Sequence, residues 1–380
     1  MPMRCGALNL GVNLTLMLGG HVPRPAPDFI VEAIKNIEVT HKDDGPSGFQ
    51  ITFHVGRSGP GDLLDYRLVS SPLIRQFNRV ILVVRFTLAP EVLMDGMITN
   101  IQLNPDETPG ESTLTITGED VSVMMDLTEE SRSYPAQPDF TKVTQIIARY
   151  IGEYGLVPPT MPASPEPMNA RSPLEQIDQQ PANLTDRAYL TGLAQMYGYV
   201  FYITPGPVPG VNRVHWGPPE RSSILQPALS LNMGPFSNIE SIHFRYDGLA
   251  PQRVRYTERG ESGMVESRSS SRNLPLARDI AEARRATQLT GSSCRAHAQA
   301  QGVVDRSFDG AVTATGELNG VRYNRLLQPR KLVALRGAGD TYSGAYYVKE
   351  VTHRIGSGDY KQAFTLQREG TGSTIPAAPP

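Results

Sequence analysis

The sequence predicts a mainly β protein in which a small α/β module interrupts two β domains. Three observations support this fold class. Short runs of alternating apolar residues, separated by turns with Gly and Pro, fill the first third of the 380 residues, which is typical of a small barrel or sandwich. Apolar residues at helical spacing follow in the middle of the chain. Strand-like alternation then returns between Ala228 and Arg368.

The clearest predicted element is a hairpin within Gly96–Leu127. Both of its arms alternate apolar and polar residues with a period of two, the pattern of a half-buried strand. The connector, residues 104–111, contains two prolines, one glycine and three acids, which is turn chemistry. We expect Gly118 to break the second strand and Asp120 to cap a short helix.

Further strands are predicted in the first domain, which we place at residues 1–127. One of them has a continuous apolar centre at Arg79–Phe86, so we expect it to be buried on both faces. The other predicted strands are Leu8–Leu18, Ile37–His41 and Gly48–Val55.

The middle of the chain, residues 128–216, is predicted to be the α/β insertion. Asp139 is expected to cap a helix that ends at Gly155, because apolar residues recur there at spacings of three and four. A second helix is predicted at Asp186–Tyr197, and a strand follows it directly. Between the helices, Leu156–Leu184 contains seven prolines, so we expect a long extended connection over the surface.

The second β domain is placed at residues 217–369. Within it, Glu258–Arg272 is rich in Ser, Gly, Glu and Arg and is expected to be a mobile loop. Ser292 or Ser293 is expected to begin a helix, and residues 370–380 have the composition of a disordered tail. The predicted strands are Ala228–Asn232, Ile239–Tyr246, Gln252–Thr257, Ser307–Leu318, Lys331–Arg336, Ala345–Ile355 and Tyr360–Arg368.

Composition limits the classes of function. Lys plus Arg (36) balances Asp plus Glu (38), so no basic excess argues for nucleic-acid binding. The two cysteines, Cys5 and Cys294, give no disulfide framework, which suits a reducing compartment. Leu8–Leu18 is too short and too polar to span a bilayer, and no cleavage site follows it. We therefore expect neither a signal peptide nor membrane insertion. A charged fraction of 19% and many loops favour a surface that partners cover.

No catalytic, cofactor-binding or metal-binding residue is predicted. The sequence contains no Walker A motif, no Gly-x-Ser-x-Gly elbow and no His-Glu-x-x-His motif. Cys294 and His297 have the spacing of metal ligands, but no second pair lies near them in sequence. A small buried thiol beside a surface histidine is therefore the favoured interpretation. His243 and His353 could act as bases only with a nucleophile and an orienting group that the sequence does not reveal.

Acidic pairs and an aromatic strand keep a glycan-directed function open as an alternative. The acids lie in turns or after a helix, where solvated carboxylates are commoner than catalytic ones. The aromatic residues could stack on a sugar, although packing of a helix against its strand is the favoured interpretation. Three arginines near one strand form either a patch that faces a partner or a solvated edge. These residues are Asp43, Asp44, Asp106, Glu107, Glu129, Glu130, Tyr197, Tyr199, Phe201, Tyr202, Arg253, Arg255 and Arg259.

Three stretches resemble the late-control gene D family, which includes the VgrG-like baseplate hubs of contractile phage tails and of extracellular contractile injection systems. The first stretch is Thr115–Asp126, which reads TITGEDVSVMMD. The second is Leu184–Phe201, and the third is Tyr346–Ile355 followed by Tyr360–Leu366. Taken with the order of elements, the resemblance extends from about Leu8 to Arg368.

The resemblance implies a structural protein and not an enzyme. Each chain would contribute two tube-like β-barrel domains, and a homotrimer would form a ring that joins a hexameric inner tube to a trimeric central spike. The implied partners are inner-tube or tube-initiator proteins, baseplate wedge proteins and a separate spike protein, since the chain ends at Pro380 without a spike domain. Assembly in the bacterial cytoplasm, as part of a phage tail-like particle, is expected.

Two alternatives remain at this stage: a cell-wall-directed glycan-binding or hydrolase module, and a tail protein from a non-contractile particle. The hub interpretation makes one architectural prediction of its own. The hairpin at Gly96–Leu127 should have a counterpart at Ala345–Arg368, with the two hairpins nearly superimposable and alternating around one ring.

Overall fold

The computed structural model describes residues 13–55, 66–86, 90–108, 111–135, 137–160, 177–180, 183–220, 225–260, 263–269, 276–290, 295–356 and 358–374. The protein is mainly β, with a small helical insertion, and its largest element is one antiparallel sheet. This confirms the predicted fold class. Leu8–Val12, most of the Pro-rich connection and the end of the tail lie outside the described residues.

The described residues of the first part of the chain form seven strands and one short helix. They are β1 (Asn13–Gly19), β2 (Arg24–Pro25), α1 (Asp28–Glu32), β3 (Ile34–Lys42), β4 (Gly48–His54), β5 (Arg79–Arg85), β6 (Pro90–Asn104) and β7 (Thr113–Asp120). A 3-10 helix, Val121–Met125, follows β7 directly. As predicted, β5 is buried on both faces.

The insertion contains helices and short strands around its own core. The elements are β8 (Arg132–Pro135), α2 (Asp139–Ala148), α3 (Ile151–Tyr154), β9 (Leu156–Val157), β10 (Ile177–Gln180), α4 (Asp186–Met196), β11 (Val200–Pro205) and β12 (Asn212–Gly217). Ile146, Leu190 and Trp216 are among its buried core residues. Gly155 adopts a left-handed conformation (φ 63°) and ends α3 as predicted.

The last part of the chain returns to strands and includes a second, smaller sheet. The elements are β13 (Gln226–Ser230), β14 (Ile239–Tyr246), β15 (Gln252–Gly260), β16 (Gly263–Ser269), β17 (Ala277–Ile280), β18 (Arg285–Thr290), α5 (Arg295–Asp309), β19 (Val312–Asn319), α6 (Gly320–Tyr323), β20 (Leu332–Arg336), α7 (Gly339–Tyr342), β21 (Gly344–Gly356), β22 (Asp359–Arg368) and β23 (Gly370–Ser373). A 3-10 helix, Gly234–Phe236, precedes β14.

A single large sheet runs through both ends of the chain. Its strands follow the order β14-β19-β22-β21-β3-β4-β7-β6-β5-β1-β2; in addition, β20 pairs with β21, and β13 pairs with β20. The antiparallel pairing of β3 with β21 joins the two halves. One core gathers apolar residues of the first half, such as Ile51 and Phe53, and another gathers those of the second half, such as Val348 and Leu366.

Five strands of each half repeat one connectivity. In chain order, β3, β4, β5, β6 and β7 correspond to β14, β19, β20, β21 and β22. Each set pairs first with second, second with fifth, fifth with fourth and fourth with third, always antiparallel. The register shifts also recur, between Ile98 and Asn100 in β6 and between Val348 and Glu350 in β21.

The repeat places the predicted hairpin β6–β7 and its counterpart β21–β22 at equivalent positions of the topology. The strands outside the repeat differ, because β1 pairs antiparallel with β5 whereas β13 pairs parallel with β20. The superposition of the hairpins, the closed barrels and the domain boundaries at residues 127 and 216 stay predictions.

Two details of the first hairpin and the insertion correct the sequence-based expectation. Gly118 does not break β7, which continues to Asp120. A Cβ at Gly118 would collide with the Met97 carbonyl oxygen and the Phe49 ring, so glycine is required for a close approach beside the bulge in β6. Asp120 caps the following helix as predicted, by accepting a hydrogen bond from the Ser122 N–H.

Asp139 is the first residue of α2 and not its cap. Pro138 occupies the N-cap position, and the Asp139 carboxylate is buried, where it accepts hydrogen bonds of 2.6 Å from Lys142 Nζ and from the Tyr197 hydroxyl. The predicted long helix is also divided, because α2 ends at Ala148 and α3 forms a separate turn.

The predicted mobile loop Glu258–Arg272 is a β-hairpin over its described residues. Strand β15 continues to Gly260 and pairs with β16. Val254 and Tyr256 pack on Ala300 and Val304 of α5, so this helix covers one face of β15, whereas Arg253 and Arg255 on the other face are exposed. Helix α5 also extends through Asp309, which moves the start of the next strand from Ser307 to Val312.

The Pro-rich connection and the tail are partly regular. Short strands β9 and β10 occupy the two ends of Leu156–Leu184 and pair with β12 and β8. Residues 370–373, expected to be disordered, form β23, which pairs with β17. Its glycines allow this contact, because a Cβ at Gly370 would collide with the backbone of Asp279.

Candidate functional site

Two buried polar clusters connect the two halves of the large sheet with the insertion. The first, the Arg330 junction, consists of Arg330, His41, Ser47, Asp120 and Tyr202. It joins both halves of the sheet to the insertion. The second, the Arg79 cluster, consists of Arg79, Asp95 and Asn212, and it joins the first half to the insertion.

The Arg330 side chain is buried, with 3% of the residue exposed, and contacts all three parts of the chain. Its Nε donates to the Lys42 carbonyl oxygen at 3.0 Å, and its Nη1 donates to Thr204 Oγ1 at 3.3 Å. The guanidinium lies 3.8 Å from the centre of the Tyr202 ring. Burial lowers the pKa of this guanidinium below its usual value.

His41 and Asp120 fix the turn beneath Arg330. The His41 Nε2 lies 2.9 Å from the Leu93 carbonyl, which can only accept, so Nε2 carries the hydrogen and Nδ1 accepts from the Ser47 hydroxyl at 3.0 Å. Asp120 Oδ2 accepts from the Ser47 N–H at 2.6 Å. Burial and the positive charge of Arg330 lower the pKa of His41 to about 3, whereas burial raises the pKa of Asp120.

His353, one of the two histidines considered as possible bases, extends the Arg330 junction into the second half. Its ring lies edge-on to His41, with 5.8 Å between ring centres, and its Nδ1 lies 2.8 Å from the Tyr360 hydroxyl. Burial lowers the pKa of His353 well below the usual value. It is therefore a neutral packed imidazole. His243, the other candidate, is exposed on β14.

The Arg79 cluster is a buried ion pair with further hydrogen bonds. Arg79 Nε and Nη2 donate to the two carboxylate oxygens of Asp95 at 2.7 and 2.8 Å. Arg79 Nη2 also donates to the carbonyl oxygens of Tyr154 and Gly210 at 3.1 and 3.2 Å. Asn212 Nδ2 donates to Asp95 Oδ2 at 3.0 Å. The cluster thus attaches β5 and β6 to the end of α3 and to β12.

Of the acids and aromatic residues considered for glycan chemistry, Asp43, Asp44, Tyr199 and Phe201 line one cavity, together with Lys349 and Arg306, whereas the other candidates do not line it. Asp43 lies beside Lys349 at the junction of the halves, where burial raises its pKa to about 6. Asp106 and Glu107 lie exposed in the β6–β7 turn, whereas Glu130 contacts arginines in the insertion. Tyr197, Phe201 and Tyr202 are buried, and Tyr199 packs edge-on against Trp216, as the packing interpretation predicted.

The remaining motifs of the sequence do not converge on chemistry. In the part of the chain that the structure describes, no group of three His, Cys, Asp or Glu side chains could hold a metal ion. Cys294 lies outside that part. Arg253 and Arg255 are exposed on β15, but β15 is the central strand of its sheet, so the interpretation of a solvated sheet edge is wrong.

Sequence reasoning missed both buried clusters. A signal for the Arg79 cluster did exist, because Asp95 interrupts an apolar run and Arg79 begins one. Arg330 stands in a polar Gln-Pro-Arg-Lys run and offered none. Its burial depends on β3 and β11, which are distant in sequence.

His41→Gln is expected to weaken the pH dependence of stability. In the unfolded chain His41 is protonated below its usual pKa of 6.5, whereas in the folded protein it stays neutral down to about pH 3. Stability from the neutral His41 is therefore complete above pH 6.5 and declines as the pH falls toward 3. At pH 5 the loss is about 2 kcal/mol. Glutamine can retain both hydrogen bonds without titrating.

Urea unfolding at about pH 7.5 and pH 5 measures this difference between the two proteins. The raised pKa of Asp43 acts in the opposite direction but is common to both proteins, so it cancels in the comparison. His54→Gln, on an exposed side chain, is the matched control. Equal pH dependence of the wild type and His41→Gln would contradict the prediction.

Among the described helices, none is long and apolar enough to cross a bilayer.

No protein-family model and no curated protein sequence matches the chain. Solved structures do match it. A tail protein from Neisseria meningitidis has a TM-score of 0.65, covering 95% of this chain and 98% of that chain at 13% sequence identity. A 43 kDa tail protein of a Shewanella oneidensis prophage has a TM-score of 0.61, covering 94% and 98% at 12% identity.

A component of the type VI secretion system from E. coli is also similar, with a TM-score of 0.55 and 12% identity. The alignment covers 88% of this chain and 73% of that chain. Across nearly its whole length, the chain therefore has the fold of these tail and secretion-system proteins.

Proposed function

We propose that this chain is a structural baseplate hub of a contractile injection particle. In this proposal three copies form a ring that adapts a hexameric inner tube to a trimeric central spike, with inner-tube or tube-initiator proteins and baseplate wedge proteins as further partners. The single observation that carries the proposal is the fold shared with two tail proteins, one of them from a prophage, over almost the complete length of both chains.

The internal repeat supports the number of copies. Each chain presents two sets of five strands with one connectivity, so three chains present six similar units. Such a ring could meet a sixfold tube on one side while it keeps the threefold symmetry of a spike on the other. The buried clusters suit this role, because they hold the two halves and the insertion in fixed relation.

We assign the chain no catalytic role. Its buried histidines, acids and aromatic residues serve packing and hydrogen bonding in the described part of the chain. We infer that its function depends on surfaces and not on reaction chemistry.

The size of the purified protein tests the proposal. Light scattering at micromolar concentration should give three times the chain mass of 41.6 kDa, and electron microscopy should show rings with a central opening. Co-expression with the inner-tube and spike proteins of the same particle should give a complex that sediments together. A strict monomer, both alone and in that co-expression, would overturn the proposal.

A further inference from the structure

We propose that β14 of one copy pairs antiparallel with the C-terminal half of β6 of the next copy, in the register that β3 and β21 use within the chain. Only the number of copies rests on the proposed function. The interface itself follows from the internal repeat, from two strand edges with which no described strand pairs, and from the side chains along them.

The two halves use equivalent edges differently. In the second half, one side of β21 pairs first with β20, over Gly344–Tyr347, and then with β3, over residues 350–356. In the first half, the equivalent side of β6 pairs with β5 over residues 90–97. In the described part of the chain, no strand pairs with that side of β6 beyond residue 97, where a partner equivalent to β3 would lie.

The strand that corresponds to β3 has a free edge as well. Strand β14 ends the large sheet, and among the described strands it pairs with β19 alone. If the β3–β21 contact were repeated between chains, β14 of one copy would therefore supply the missing partner of β6 in the next copy. Unpaired edges of this kind are ready templates for another strand.

The register follows from the bulges. Aligning the shift at Ile98 and Asn100 with that at Val348 and Glu350 makes Leu103 the counterpart of His353. The shift at Ile34 and Asn36 matches that at Ile239 and Ser241, so Phe244 is the counterpart of Val39.

His353 lies opposite Val39 within the chain. Leu103 should therefore lie opposite Phe244 of the neighbouring copy. By the same alignment, Ile101 should lie opposite Tyr246.

Burial along the two edges supports this pairing. Val39 and Val351, at the contact within the chain, are fully buried. Their counterparts Phe244 and Ile101 are only half-buried, and Tyr246 is 49% exposed. Ile101 packs on the core of the first half and Phe244 on that of the second half. A neighbouring strand would cover the exposed parts of these side chains and of Tyr246, which supplies a hydrophobic driving force of about 25 cal/mol per Å² of apolar surface.

The side chains on the opposite face of the proposed strand pair are also compatible with this register. Within the chain this face pairs Glu38 with Arg354 at 3.7 Å, and Thr40 with Thr352 at 3.0 Å. The corresponding pairs between copies join polar residues without placing like charges opposite each other. These pairs are Asn104 with His243, Gln102 with Arg245 and Asn100 with Asp247.

The contact joins two unlike edges, so it is head-to-tail and generates a ring where the rotation closes. Around such a ring the contact within the chain alternates with the contact between chains. Each copy then makes this strand contact once within its own chain and once with the next copy.

Cysteine cross-linking tests the register. In a chain with Cys5→Ser and Cys294→Ser, we introduce Leu103→Cys with Phe244→Cys, whose Cβ atoms should lie about 4.5–5.5 Å apart. Oxidation should give covalent dimers and trimers on a non-reducing gel, with no larger species. Leu103→Cys with Arg245→Cys, which lie on opposite faces, is the matched control and should cross-link at least tenfold less.

A second variant tests the surface without cross-linking. Tyr246→Lys changes an exposed side chain and should weaken assembly at least tenfold while the melting curve of the monomer stays unchanged. Val22→Lys, at another exposed apolar residue, should assemble normally. A trimer by light scattering that shows neither the specific cross-link nor the Tyr246 effect would overturn this interface and leave the hub proposal standing.

Cross-linked ladders that continue beyond the trimer would support the interface and overturn the trimeric hub. Monomers without cross-links, both alone and in the co-expression with the inner-tube and spike proteins, would overturn both proposals.

Discussion

Asp95→Ala is expected to lower the free energy of unfolding by about 3–5 kcal/mol. Asp95 and Arg79 are both almost completely buried, and the variant leaves the guanidinium without its counter-charge in that interior. Asn212 also loses one of its two acceptors, the carboxylate oxygen Oδ2. The loss should appear at the attachment of the insertion, because Arg79 and Asn212 both hold the carbonyl of Tyr154.

Urea unfolding measures this loss, and a double-mutant cycle of Asp95→Leu and Arg79→Leu separates the pair from its surroundings. We expect Arg79→Leu with Asp95→Leu to regain most of the stability, since it removes both charges together. Asp95→Asn keeps the shape of the side chain but not its charge and should remain strongly destabilised. A loss below about 1 kcal/mol for Asp95→Ala would show that water reaches Arg79.

Local patterns sufficed for most strands of the large sheet. The alternation in β7 puts Leu114 and Ile116 into the core between threonines, and the continuous apolar run of β5 is buried on both faces. In both cases the pattern of apolar residues along one strand predicts which of its faces are buried. The order of the strands in the sheet was harder to predict, because the pairing of β3 with β21 joins segments that are about three hundred residues apart.

Amino-acid composition gave a wrong prediction where a strand has one covered face. Glu258–Arg272 resembles a loop because it is rich in charged and small residues, yet its described residues form strands of the sheet that packs Val254 and Tyr256 against α5. Ser307 was taken for a strand residue, yet it continues α5 and its hydroxyl donates to the Val304 carbonyl at 2.7 Å. Such boundaries depend on tertiary packing and not on the residues nearby.

Arg330→Met is expected to lower the free energy of unfolding by about 2–4 kcal/mol. The change removes charge-assisted hydrogen bonds to Lys42 and Thr204, and it removes the cation over Tyr202. Methionine has a comparable length, and both residues must adopt the left-handed backbone at this position (φ 66°). Backbone strain is therefore common to wild type and variant.

The pKa of His41 gives a second measurement for the same variant. The positive charge of Arg330 contributes to the lowered pKa of His41, so Arg330→Met should raise this pKa, as an NMR titration would show. Arg330→Lys keeps the charge but loses the planar contact with Tyr202, so it should lower stability while the His41 pKa stays low. If Arg330→Met changes neither stability nor this pKa, the guanidinium does not connect the two halves and the insertion. The β3–β21 ladder would then hold the two halves together, and the Arg79 cluster would hold the insertion.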